Sequence, residues 1–192
     1  SSTSRGLGDV YKRQGQKDNA ITRECTTDFL TDAPEEVKAY AKELQEQIRE
    51  EYTGSDENIT IEVKENGVET AQVLHPTSQE KIVFYLQNVP FGIQKMCGTI
   101  KGLVESSSNI GILRLDEDEL FASSSVRSSV DAACSAISDK IEYLTEFLGG
   151  DYEVQGAYPA WEYRKDSPLR DKMVEIFEEM YGHKPEVVAI HA

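Results

Sequence analysis

Hydrophobic residues recur along this chain with two different periods, and each change of period marks a new element. Ile21 to Leu30 reads as a strand. Asp32, with Glu35 three positions later, then has the form of a capping box, so a helix is predicted to start there. Val37, Tyr40, Ala41, Leu44, Ile48 and Tyr52 carry its apolar face until Gly54 ends it. Ile59, Ile61 and Val63 alternate with Thr60 and Glu62, the signature of a strand with one wet face. Thr77 and Glu80 suggest a second capping box, and Ile82, Tyr85, Leu86 and Val89 line a short helix closed by Pro90. A hairpin follows, with arms of about Gly102 to Leu115 and Glu119 to Arg127 joined at Asp116-Glu-Asp118. Ser128 or Ser129 caps a long helix whose face is Val130, Ala133, Cys134, Ile137, Ile141, Leu144 and Leu148, stopped by Gly149-Gly150. Tyr152, Val154 and Gly156 read as one more strand.

In order, residues 19 to about 163 give β-α-β, an inserted helix, then β-β-α-β. The fold class this predicts is α+β, a ferredoxin-like split βαβ plait with two helices over one face of an antiparallel sheet. The segment 164–192 behaves differently. Ser167 caps a helix with Pro168 in its first turn; Leu169, Met173, Ile176, Phe177 and Met180 form its stripe, and Gly182 ends it. Val187 to Ile190 is then apolar without alternation, as in parallel strands covered on both faces. No partners for such a strand are evident, so 164–192 reads as a helix-strand piece of a second, truncated α/β domain, and the chain as part of something larger. The first fourteen residues are small, polar and mildly basic in an otherwise acidic chain. They resemble a translated adaptor, and 1–14 is expected to be a non-native leader that contributes no element.

Composition narrows the function classes. The 192 residues carry a formal net charge of -15, which repels phosphate backbones and anionic lipid, so neither nucleic acid nor a membrane surface is an expected partner. No apolar run approaches the roughly 20 residues that cross a bilayer, and nothing reads as a signal peptide, so the expected location is cytoplasmic. Cys25, Cys97 and Cys134 are odd in number and far apart, which fits reduced, core or half-buried thiols better than a disulfide framework.

Five collinear blocks carry a resemblance. Asn19-Ala-Ile-Thr-Arg-Glu24, Ser107-Ser-Asn-Ile-Gly111, Val126-Arg-Ser128, Gly156-Ala-Tyr-Pro-Ala-Trp161 and Tyr181-Gly-His-Lys-Pro185 through Ile190-His-Ala192 are similar to successive segments of the bacterial aminoacyl-histidine dipeptidases, relatives of the carnosinases and aminoacylases. Thr22, where proline is expected, and Ala160, where glycine is expected, depart from that pattern. The resemblance implies a di-zinc metallodipeptidase in which residues 19–163 form a lid and homodimerisation domain closing over a dipeptide substrate. Two zinc ions would lower the pKa of a shared water, and a neighbouring glutamate would take its proton. The family supplies those ligands and that base from other segments. Here only His75, His183 and His191 exist, without ligand spacing, so no catalytic and no metal-binding residue is assigned and this fragment is expected to be inactive and to hold no zinc.

Two substrate-binding residues are carried over by resemblance. Arg127 matches a lid arginine that would grip the dipeptide's free carboxylate through its planar fork, the bland reading being an exposed arginine paired with one of many carboxylates. Asn109 matches a lid asparagine that reaches the substrate, the bland reading being a turn residue beside Gly111. His75 reads as a loop residue and His183 as one at a helix end, His191 as a strand-end structural histidine with a role near the site as its alternative, and Tyr158 and Trp161 as domain-junction packing. A stand-alone plait module that binds a ligand or another protein is the alternative from a different class.

Overall fold

A computed structural model describes residues 8–67, 73–116 and 119–190. It contains β1 (Gly8–Gln14), β2 (Cys25–Leu30), α1 (Pro34–Glu51), α2 (Pro76–Asn88), β3 (Gly92–Met96), β4 (Val104–Leu115), β5 (Leu120–Ser128), α3 (Asp131–Phe147) and α4 (Pro168–Tyr181). All strand pairs are antiparallel, so this is a mixed α and β domain with one antiparallel sheet and four helices.

The long strand β4 organises the sheet. Along one edge it pairs with β5 from Ser106↔Ser128 to Leu115↔Leu120, the hairpin its alternation predicts. Its other edge is divided. β3 takes the first part, Gly92↔Ser108 to Met96↔Val104, and β1 takes the last, Lys12↔Leu115 to Gln14↔Leu113, with β2 beyond β1. Between them, near Gly111, β4 has no strand on that side, and the ladder to β5 slips by one residue at Ile110/Ile112.

Helices α2 and α3 cover one face. Tyr85, Val89, Ile110, Leu113, Ile137 and Ile141 form the buried cluster, with Leu120, Ala122, Val126, Leu144 and Tyr152 packed around it. Leu113 keeps only 1% of its surface exposed; burying such a side chain is worth about 1.5–3 kcal/mol. The 3.6-residue period of α3 is thus the period of contact with β4 and β5. The buried Ser106 and Ser128 hydroxyls bond each other at 2.9 Å, and Ser128 Oγ also accepts from Val130 N at 3.0 Å, tying the sheet to the start of α3.

Several expectations are corrected. The segment expected to form no element contains β1, because a ladder is made by main-chain groups and a stretch without hydrophobic alternation can join a sheet when two edges flank it. The strand expected over 59–63 is extended but unpaired: Arg49 Nε donates to Ile59 O at 2.6 Å and Gln45 Oε1 accepts from Ile61 N at 2.7 Å, so α1 takes the groups a neighbouring strand would need. Residues 152–156 form no strand either, and β3 is an element the alternation did not announce. Strand β2 starts at Cys25 rather than Ile21. The caps also shift: α1 has Ala33 at its N-cap without a side-chain bond, and α2 is capped by His75, whose Nδ1 accepts from Thr77 N at 3.3 Å, rather than by Thr77.

In α4 the start and stop signals hold. Ser167 Oγ accepts from Arg170 N, and Gly182 adopts the left-handed φ of 72° that ends the helix. None of its residues is buried. Val187, Val188 and Ile190 are exposed and outside any ladder among the described residues.

Candidate functional site

Strand geometry decides which side chains share a surface. Ile110 on β4 and Val126 on β5 face the helices, so Asn109 and Arg127, each one position away, face the opposite side. Arg127 pairs with Ser107 and Asn109 with Ser125, so the two are diagonal neighbours across the ladder. Diagonal positions lie about 7–8 Å apart, within reach of long side chains. The structure therefore brings together the two residues carried over by resemblance, although 18 positions separate them in sequence.

Arg127 is half-buried, and its guanidinium makes no hydrogen bond or ion pair with any of the described residues. The carboxylate pairing offered as its bland reading does not occur among them, even in a chain with 35 Asp and Glu residues. As part of β5, whose outer edge is unpaired among the described residues, it also lines a depression of about 1900 Å³ between that strand and the helices, together with Ser125, Tyr85 of α2, Asp131 of α3, Asp18 and Asn19. A guanidinium held there on a strand is a donor fork open to a planar anion.

Asn109 is not a turn residue. It sits inside β4, half-buried, and its Nδ2 donates to Ala20 O at 3.0 Å. Its contact is thus with the segment 15–22 that follows β1. That segment was visible in sequence only as a block, Asn19 to Glu24, and reading it as a strand start concealed Asp18 and Asn19 as walls of the depression. The cue would have been Gly15 and Gly111, two glycines that meet in space: a Cβ on Gly15 would lie 1.8 Å from Gly111 O.

The other singled-out residues fall elsewhere. His183 Nδ1 lies 3.1 Å from Tyr181 O beyond the end of α4, and its ring stands edge-on to Phe177. His191 lies outside the described residues. Among the described residues, no group of three or more His, Cys, Asp or Glu side chains is placed to hold a metal ion. The described residues thus do not fit a di-zinc centre. Trp161 is 89% exposed and Tyr158 is also exposed. Asp131 Oδ1 accepts from Ala160 N at 2.7 Å, pinning this block to the start of α3. No cysteine is bonded to another; Cys97 and Cys134 are half-buried, while Cys25 is exposed rather than in the core. Hydrogen bonds from Thr99, through its side chain first, and from the Ile100 backbone hold the Cys97 thiol below its usual range. Burial pushes Cys134 up.

The described residues thus form a mixed α and β domain built on one antiparallel sheet. The chain is 24% identical over 176 residues to the cytosol non-specific dipeptidase of Escherichia coli K12, covering 91% of this chain and 36% of that protein. Its structure matches the crystal structure of the aminoacylhistidine dipeptidase from Vibrio alginolyticus with a TM-score of 0.87 and 28% identity, covering 97% of this chain and 38% of that one. The chain thus spans a little over a third of the length of these relatives. No protein-family model matches it. Among the described residues no helix is long and apolar enough to cross a membrane.

Proposed function

We propose that this chain is part of a cytoplasmic dipeptidase, a peptide hydrolase, in which residues 19–163 form the lid that closes over a dipeptide and 164–192 begin the return into the catalytic domain. The similarity to two dipeptidases over nearly the whole chain supports this reading over a free-standing binding module. In it, the hairpin β4–β5 with α3 on one face is the core of the lid. The same domain would carry the homodimer contact. In this reading the two zinc ions and the base would come from other segments of the full-length protein.

One observation carries the site: the half-buried Arg127 lines this depression with no side-chain partner among the described residues. A dipeptide differs from a longer peptide in having a free carboxylate next to the scissile bond. A fixed guanidinium reads that group through two parallel N–H···O bonds, which sets the reach of the site to one residue past the bond. Asn109 is the second residue of this surface.

The test is a nuclear magnetic resonance titration of the chain with alanyl-histidine and with its C-terminal amide. The free acid is expected to shift resonances around Arg127 with a millimolar Kd, and the amide to leave them unmoved. Arg127→Ala should abolish the response and Arg127→Lys restore only part, because a point charge does not reproduce the fork. Equal binding of acid and amide would refute the assignment.

A further inference from the structure

The edge of β4 between β3 and β1 is filled by the loop of residues 15–22, and this loop is locked there by four independent features. Thr22 Oγ1 donates to Ile110 O at 3.3 Å. Gln14 Nε2 reaches both Thr22 Oγ1, at 3.3 Å, and Ile110 O, at 3.4 Å. Asn109 Nδ2 donates to Ala20 O at 3.0 Å. Finally, Gly111 leaves the space the loop backbone occupies, since a Cβ there would lie 2.2 Å from Asp18 O and 2.5 Å from Lys17 O. The loop thereby satisfies the Ile110 carbonyl that a neighbouring strand would otherwise take.

The clamp holds a specific pair of residues in place. Asp18 and Asn19 lie inside it, and they line the depression that Arg127 also lines. The side chain of Asn109 directs an amide N–H to the loop backbone. We propose that Asn109 is a positioning residue: through Ala20 it fixes the loop as a rigid second wall of the Arg127 surface, and it does not itself touch the dipeptide. This rests on the dipeptide reading of Arg127 and changes the role of Asn109 from contact to support. Preorganising a wall in this way removes an ordering cost that binding would otherwise meet.

Two variants approach the clamp from opposite sides. Asn109→Asp has the same shape but no donor, and Thr22→Val keeps the shape but loses the hydroxyl. In the 192-residue chain, each is expected to speed amide hydrogen exchange of residues 16–22 by about five- to tenfold, the loss of one hydrogen bond, with exchange in β4, β5 and α3 unchanged. Each is also expected to weaken alanyl-histidine binding by a similar factor, with Arg127 intact. Unchanged loop exchange in Asn109→Asp overturns the inference. So does a loss of affinity in Asn109→Asp that Thr22→Val fails to reproduce, because Asn109 would then be touching the dipeptide. A loosened loop with undiminished affinity also overturns it, since Asn109 would then serve structure alone. Loop exchange needs no ligand, so failure of the dipeptide reading, signalled by Arg127→Ala binding as well as the parent, is read separately.

Discussion

Replacing Gly111 by alanine should be strongly destabilising. Gly111 does not have a left-handed φ, so the cost is steric rather than conformational. Its new Cβ would lie 2.2 Å from Asp18 O, 2.5 Å from Asp18 C and 2.5 Å from Lys17 O, all backbone atoms that cannot swing aside as a side-chain tip could. The loop 15–22 must leave the edge of β4. With it go the Thr22 and Gln14 bonds to Ile110 O and the Asn109 bond to Ala20 O. Three hydrogen bonds at about 0.5–1.5 kcal/mol each give a loss of about 2–4 kcal/mol. At about 2–4 °C per kcal/mol for a domain of this size, Tm should fall by roughly 5–15 °C. Thermal unfolding followed by far-ultraviolet circular dichroism reads this directly, and hydrogen exchange should show residues 15–22 freed first. A Tm within 1 °C of the parent would mean that the loop is not seated against Gly111, and the clamp argument would fall with it.

Three further outcomes follow from single side chains. Tyr85 is mostly buried against the core, and that burial raises its phenol pKa, partly offset by a hydrogen bond with Thr145; a raised folded pKa contributes stability that is present below the unfolded value of about 10 and is lost as pH rises through the folded one. Denaturant titrations from pH 8 to 11 should show a decline above pH 10 that is shallower in Tyr85→Phe, and identical slopes would contradict this. Iodoacetamide at pH 8 should alkylate Cys97 faster than Cys134, because hydrogen bonds lower the first thiol and burial raises the second, with peptide mass mapping as the measurement and the reverse order as the refutation. Asp131→Ala should free the Ala160 amide and raise the mobility of Trp161, the sole tryptophan, lowering its fluorescence anisotropy, whereas Asp131→Asn keeps an acceptor and should not.

Much of the chain was legible because its elements are local. The apolar periods of α1, α3 and α4 mark helices that form, and Ser167 and Gly182 bound α4 through bonds made within one turn of the residues themselves. The β4–β5 hairpin is likewise a contact between sequence neighbours, with Asp116 N donating to Glu119 O at 3.0 Å across the turn. The pairing of Asn109 and Arg127 on one face, by contrast, depends on the one-residue slip at Ile110/Ile112, which alternation does not announce. What the sequence could not decide was the use of an edge. Whether an extended stretch becomes a strand depends on whether an unpaired edge reaches it. Residues 8–14 found two such edges, while 59–63, with better alternation, met the side chains of α1 instead. The bond from Asn109 to Ala20 spans 89 positions, and the fit of Gly15 against Gly111 spans 96. Neither leaves a period or a spacing, because the atoms concerned are a carbonyl and a missing methyl, and only the folded chain brings them together.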